Sequence, residues 1–397
     1  MNPDVSTKRT VLVYEPNVEG HHVGWLRFIT EDLLAAGFSL TLALDTRPAA
    51  MERIENQMAD LLPQVKIIPA VSQKSDEAKI TSPAHVAACL KKSGAALAFL
   101  AHFNDIASTL QRRTAFGLMP DESLRGRLGG IYLRPQFLNA GALSPNQAIK
   151  KFGFHRLIQN GWLNPLLLLD PLLCEIAQKK YPDAPIHLLA DPYPENFHAD
   201  RAASRKFFNL TDDKFVFLFY GGGYKRKGLH LAVEAMLKTS APDKAFLLCA
   251  GLQPKGEQLA RNLEMLRSQG RAEIVNRYVS AEEEKQLFAA CDAVLLPYLH
   301  HHGTSGVLSC TAGTGKPAIA SDEHFIGQVV RQYQMGLLFE SGNVSGLKNA
   351  MKCAASASAK ELSKWQAGAQ AYAKTCSRGA FRSALVAAVE NAIAKQN

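Results

Sequence analysis

From Val11 onward the chain alternates short β-branched or Leu-rich runs with stretches whose apolar residues recur at helical spacing, and it does so in two successive series. Such alternation is the signature of parallel sheets, because a strand that pairs in parallel with its neighbour needs a crossover, usually a helix, to return. The first series predicts strands over Val11–Tyr14, Ser39–Leu44, Val65–Pro69, Ala95–Ala101, Gly130–Leu133 and Leu166–Leu169, with helices such as Trp25–Ala36 and Pro83–Lys92 between them. The second predicts Phe215–Tyr220, Phe246–Ala250, Ile274–Tyr278, Ala293–Pro297, Ala318–Ser321 and Gly336–Phe339. The fold class expected is α/β, as two Rossmann-like, doubly wound parallel-sheet domains. A chain of 397 residues is long enough to need two cores. The Pro-rich stretch Asp191-Pro192-Tyr193-Pro194 is the expected hinge, giving domains 1–192 and 193–377 and a tail, 378–397, that forms a helix packing back on the first.

Composition narrows the class further. The apolar run around Leu166–Leu169 is broken by Asp170, Pro171 and Glu175, far short of the ~20 residues a membrane-spanning helix needs. Residues Met1 to Thr10 are polar and lead straight into the first strand, so no export signal is expected. Seven cysteines, odd in number and without a C-x-x-C pair, read as reduced thiols and predict a cytoplasmic protein. The net charge of +9 attracts phosphorylated small molecules, an anionic membrane face or nucleic acid, and no nucleic-acid-binding motif accompanies it.

Two loops carry the chemistry of the second half. Strand Phe215–Tyr220 runs into Gly221-Gly222-Gly223-Tyr224-Lys225-Arg226-Lys227-Gly228 and then a helical stretch. Small residues admit a phosphate close to backbone N–H groups and the cations neutralise it, so Gly222, Gly223, Lys225, Arg226 and Lys227 are expected around a diphosphate. A glycine turn beside a solvated basic cluster would look the same. After the strand at 293–297 comes Tyr298-Leu299-His300-His301-His302-Gly303-Thr304-Ser305-Gly306-Val307, where His302 and the 303–307 stretch offer free amides and hydroxyls at a helix start. A capped helix is the bland alternative. Gly315-Lys316 is no phosphate-binding P-loop, because Pro317 stands where Ser or Thr belongs. The three adjacent histidines point in different directions and have no spaced carboxylate or thiol partner, so no metal site is expected.

In the first half, Gly20-His21-His22-Val23-Gly24 follows the first strand and His102, with Asn104 and Asp105, follows the fourth. Both places are carboxyl ends of strands, where α/β folds bind ligands. His22 and His102 are expected to shuttle a proton, and His21 and Arg134 to hold an acceptor.

Together these residues resemble the retaining glycosyltransferases of family 4, which have the GT-B fold with its domains facing across a cleft. The resemblance is strongest from about Ile186 to Glu340, in Leu188-Leu189-Ala190-Asp191-Pro192, Phe217-Leu218-Phe219-Tyr220-Gly221, Arg226-Lys227-Gly228, Phe246–Gly251, Ala289–Pro297, Gly315–Ser321 and Gly336-Leu337-Leu338. It implies a nucleotide-sugar in the second half, Lys227 on its diphosphate, Tyr278 and Val279 near the base, and the turn 303–306 facing phosphate and sugar, with no cofactor and no metal. It also implies an acceptor in the first half, a glycan or lipid-linked molecule of polysaccharide biosynthesis met at the inner face of an anionic membrane. Two glutamates eight positions apart, frequent in that family, are here His302 and Cys310, Gly221 replaces a usual basic residue, and Tyr132 and Arg134 stand near the place of a usual histidine. A catalytically inactive module binding the sugar nucleotide or a partner is therefore the alternative.

Overall fold

The computed structural model describes residues 9–19, 22–72, 81–138, 144–239, 244–253 and 256–396. Internal contacts divide the chain into two units, Met1–Leu189 with Phe381–Asn397, and Ala190–Ala380.

Unit 1 is built on seven strands: β1 (Thr10–Glu15), β2 (Ser39–Asp45), β3 (Lys66–Val71), β4 (Leu97–Leu100), β5 (Leu128–Tyr132), β6 (Leu163–Leu168) and β7 (Ile186–Leu188). They are parallel throughout, in the order β3-β2-β1-β4-β5-β6-β7. The helices between them are α1 (His22–Ala35), α2 (Pro48–Met58), α3 (Pro83–Ser93), α4 (Asn104–Ala115), α5 (Pro145–Gln159) and α6 (Pro171–Lys180). Val11, Leu12 and Val13 are all fully buried, the mark of a strand covered on both faces. The edge strand β7, only three residues long and ending on the exposed Leu188, was not expected.

Unit 2 repeats the plan with six parallel strands: β8 (Phe215–Tyr220), β9 (Ala245–Ala250), β10 (Ala272–Val275), β11 (Ala293–Leu296), β12 (Ala318–Ser321) and β13 (Gly336–Phe339), ordered β10-β9-β8-β11-β12-β13. Its helices are α7 (Arg201–Phe207), α8 (Leu229–Leu237), α9 (Glu257–Ser268), α10 (Ala281–Ala290), α11 (Gly306–Gly313), α12 (His324–Tyr333), α13 (Val344–Ala355) and α14 (Ala359–Thr375); α15 (Arg378–Ala394) ends the chain. Along β8 the residues alternate between two cores: Val216 and Leu218 pack into one, Phe217 and Phe219 into the other. The third strand of this series ends at Val275, so the expected continuation through Tyr278 is loop, and Tyr278 stands 71% exposed.

The segment expected as a hinge is built into unit 2. Tyr193 N–H donates to the Cys376 carbonyl at 3.3 Å, and the Tyr193 ring lies against Gly313. Six of the seven cysteines are buried and all seven are unbridged. Among the described residues no helix is long and apolar enough to cross a membrane.

One motif behind the family resemblance proves structural. Asp292, between Cys291 and Ala293, accepts from the Val216 amide at 2.8 Å, from Arg201 at 2.7 Å and from Arg205 at 2.6 Å. Arg205 is itself buried and also donates to the carbonyls of Ala290, Thr211 and Lys214. Removing one partner of such a pair leaves a charge without compensation in a dry site. Asp292→Ala is expected to lower unfolding free energy by about 3 kcal/mol in urea titrations. A loss under about 0.5 kcal/mol, the level of an ordinary surface change, would contradict this role.

Candidate functional site

In each unit the strand order reverses once, between β1 and β4 and between β8 and β11. Beyond the carboxyl ends of those strands the connecting loops diverge to opposite faces, which opens a crevice where ligands enter. The candidate residues cluster at these two places, one in each unit.

In unit 2 the loop after β8 forms a short 3-10 turn, Lys225–Lys227, closed by Gly228, before α8. Gly228 has φ +71°, and a Cβ there would lie 1.9 Å from the Pro297 carbonyl oxygen, so only glycine lets this turn touch the end of β11. Gly221, at φ +105°, leaves room for the Lys227 ammonium, which a Cβ would meet at 2.5 Å. That ammonium sits over the Tyr298 ring, 5.6 Å from its centroid.

The expected backbone cradle is corrected. Gly221 N–H donates to Ala250 O and Gly223 N–H to Leu252 O, each at 2.9 Å, while Tyr224 N–H turns back to Gly222 O at 2.8 Å. Two of the loop amides thus hold the loop to the end of β9 and a third closes the loop on itself, which leaves the side chains as its outward-facing polar groups. Lys225 and Arg226 are exposed and Lys227 is half-buried.

The second loop is strapped to the first by His301, which sequence reasoning passed over in favour of His302. Its Nε2 lies 3.0 Å from the Thr304 carbonyl, so it carries the proton and donates, and its Nδ1 accepts from Arg226 at 3.0 Å. Leu299 N–H donates to Arg226 O at 2.7 Å. His302 stacks on His324, ring centroids 3.9 Å apart, and His300 and His324 both adopt the left-handed backbone uncommon outside glycine. Helix α11 begins at Gly306 without a side-chain cap from Ser305, whose hydroxyl lies 3.5 Å from that of Tyr298. The first-turn N–H groups of a helix have no partner within it, and Gly306 and Val307 stand in that first turn.

The Thr304 hydroxyl, expected to face a ligand, hydrogen-bonds Asp191. Burial pushes the Asp191 carboxyl up to about 6, with the Thr304 bond acting the other way. A second carboxylate, half-buried Glu284 on α10, bonds the Tyr220 hydroxyl at the end of β8. Burial, and next the nearby charge of Glu284, push the Cys310 thiol up, so a carboxylate stands close to the position where the sequence lacks one. Val279 is half-buried against the same core.

In unit 1 the residue at the centre was not foreseen. Glu15, the last residue of β1, is 1% exposed and lies between the two predicted histidines. His102 Nδ1 is 2.5 Å from Oε2, His22 Nδ1 is 3.1 Å from Oε1, and Asn17 N–H donates to Oε1 at 3.0 Å. The His22 and His102 rings stack at 3.9 Å. Burial works to raise the Glu15 carboxyl, but the bonds from His102 and His22 prevail and hold it below the usual carboxylate range. Asp105, in the first turn of α4, is raised by burial and then by Glu15.

The ligating atoms of Glu15, His22 and His102 lie within 4.8 Å of one another, a donor set that a divalent metal can use. The network around His22 opposes that use. Asn17 Oδ1 accepts from Glu19 N–H at 3.0 Å, which fixes the amide, so its Nδ2 donates to His22 Nε2 at 3.3 Å. Nε2 then holds the lone pair and Nδ1 the proton, and a protonated nitrogen cannot ligate. Arg134 is exposed just beyond β5, while His21 lies outside the described residues.

Residues 200–371 match the family described as Glycosyl transferases group 1. A search among curated proteins found no matching sequence. Among solved structures the chain is similar to a glycosyltransferase from Rickettsia africae, at TM-score 0.71 and 12% identity over 98% of this chain and 99% of that one. It is also similar to Anabaena HepE, solved with UDP and glucose, at TM-score 0.67 and 15% identity over 98% and 99% of the two chains. WaaG, a glycosyltransferase involved in lipopolysaccharide biosynthesis, gives TM-score 0.66 and 14% identity over 96% and 98%. These likenesses, with two all-parallel sheets of seven and six strands, establish the GT-B fold.

The geometry yields a test in unit 2. An unfolded Asp titrates near ~3.9, so between that value and the folded value of about 6 the native state binds more protons and stability falls as pH rises. The expected loss from this group between pH 4 and 7 is roughly 2–3 kcal/mol, and Asp191→Asn removes it. Parallel urea titrations of both proteins across that range should diverge; identical slopes would contradict the buried carboxyl.

Proposed function

We propose that this chain, whose residues 200–371 match the glycosyl transferases group 1 family on a GT-B fold, transfers a sugar from a nucleotide-diphosphate donor to a hydroxyl acceptor. The observation that carries the reading is the second unit's crevice, where Lys227 is held half-buried between Gly221 and Tyr298 beside the uncapped start of α11. Negative charge grows on the leaving diphosphate as the glycosidic bond breaks, and a fixed cation with oriented N–H groups stabilises that charge. Arg226, braced by His301, adds a second cation, and this half of the reaction then needs no metal or cofactor. Tyr278 and Val279 lie toward the base, and Glu284 accepts a ribose hydroxyl in place of a carboxylate at position 310. Unit 1 takes the acceptor, with His22, His102 and Arg134 at its crevice. That Anabaena HepE is solved with UDP and glucose supports a nucleotide-sugar donor. Transfer of a hexose with retention at the anomeric carbon belongs to this proposal through the family resemblance.

The second reading, a catalytically inactive module on the same fold, is favoured by His302 and Cys310 in place of glutamates. Donor binding without transfer or hydrolysis separates the two. Lys227→Ala is expected to lower kcat by about 10²–10³ with the thermal unfolding midpoint unchanged. Activity of the parent protein is expected to survive a chelator; a Lys227→Ala protein with normal turnover would sink the assignment.

The acceptor is proposed to be a glycan or lipid-linked molecule, met by a cytoplasmic enzyme that holds loosely to an anionic membrane face through its net charge of +9. Co-sedimentation should then be greater with anionic than with neutral vesicles and should fall with salt, and equal recovery from both would contradict it.

A further inference from the structure

We propose that the stacked pair His302 and His324 selects a donor whose sugar carries a carboxylate, so that the group transferred is a hexuronate, a hexose with its primary alcohol oxidised to the acid. The inference rests on the transferase reading and names the class of sugar within it.

The order of strands in unit 2 sets where the sugar lies. Along the carboxyl edge of the sheet the loops follow β10-β9-β8-β11-β12. In the proposed reading the base lies toward Tyr278 and Val279, just beyond β10, and the diphosphate lies at Lys227 and the start of α11, beyond β8 and β11. A donor sugar hangs from the end of the diphosphate opposite the nucleoside, and the next loop along the edge in that direction is the one after β12. Neighbouring strands are about 4.8 Å apart, a step that one pyranose ring spans. His302, in the loop after β11, and His324, which opens α12 after β12, meet across that step with ring centroids 3.9 Å apart. His324 is exposed and His302 half-buried, so the pair stands at the surface of the unit and outside its core.

A neutral hexose presents hydroxyl donors, and carboxylates are the side chains that accept from them best. The carboxylates beside His324 are turned to backbone amides. Glu323 accepts from His300 N–H at 3.2 Å and stands 3.8 Å from Nδ1 of that ring, and Asp322 accepts from Ser341 N–H at 3.2 Å. The guanidinium of this region, Arg226, is held by His301 on the diphosphate side. What the edge offers a sugar at this point is therefore imidazole. The charges of Glu323 and Asp322 favour a proton on rings close to them. Two imidazolium charges 3.9 Å apart repel, so the stack takes up one proton readily and a second only against that repulsion. One positive charge matches a carboxylate, with its single negative charge, better than a phosphate monoester, which carries nearly two.

The test is calorimetric binding of matched sugar nucleotides to the full chain: UDP-glucose with UDP-glucuronate, UDP-galactose with UDP-galacturonate, GDP-mannose with GDP-mannuronate, and ADP-glucose with ADP-glucuronate. With the nucleotide that the protein accepts, the uronate is expected to bind about tenfold more tightly than the neutral sugar at about pH 6, the effect of a hydrogen bond to a charged group. The ratio should shrink toward unity at about pH 8, above the ordinary imidazole pKa of ~6.5. In His302→Gln and in His324→Gln the ratio should fall close to unity at the lower pH. Because it compares two ligands on one protein, a general weakening of the loop cancels from it. A neutral sugar bound as tightly as its uronate by the parent protein, which needs no variant to observe, would overturn the proposal and leave the transferase reading standing. So would a uronate preference that both variants retain or that does not change with pH. Binding of none of these nucleotides would overturn the transferase reading, and the proposal with it.

Discussion

In a parallel sheet every strand delivers its last residue to the same edge, and at one point in each unit the order of strands reverses and the outgoing loops part. That constraint decides which residues meet. Glu15 and His102 are far apart in sequence, yet β1 and β4 pair directly, with Tyr14 opposite Leu100, and so set both side chains at one crevice. The Lys225–Lys227 turn and the His300–Gly306 loop meet for the same reason, since β8 and β11 are neighbours. Each cluster depends on burial that makes the crossover strands stable and leaves the polar residues to their ends.

The two clusters, one in each unit, handle charge differently. In unit 2 the glycine loop uses amides to fasten itself to β9, and in the proposed reading an anion is met by Lys227 and the start of α11. Gly221 and Gly228 serve close approach: one makes room for the Lys227 ammonium and the other lets the turn touch Pro297. In unit 1 a buried carboxylate orders two imidazoles, and the direction in which one asparagine amide points distinguishes them.

Much of the fold was legible because buried parallel strands read as unbroken apolar runs. Phe215–Tyr220, Ala318–Ser321 and Gly336–Phe339 fall where their composition places them. Strand β7 was not, because three residues at a sheet edge, ending on exposed Leu188, carry too little pattern. In the site, Lys227 and the histidines were visible from their strand-end positions. Glu15 escaped because a polar residue closing an apolar run reads as its boundary, although a carboxylate seven positions before His22 at a sheet's carboxyl edge was the available signal. His301, Asp191 and Glu284 act through partners distant in sequence, which no local spacing reveals.

The central claim is that unit 2 holds a nucleoside diphosphate by its phosphates, and thermal unfolding against matched nucleotides tests it most directly. Ligands that bind only the folded state raise its apparent stability, by about 2.7 kcal/mol at a hundredfold excess over Kd. The account predicts that one nucleoside diphosphate among UDP, GDP and ADP raises the midpoint clearly, its monophosphate raises it much less, and Lys227→Ala abolishes the difference. No shift with any of them, or equal shifts for mono- and diphosphate, would contradict it.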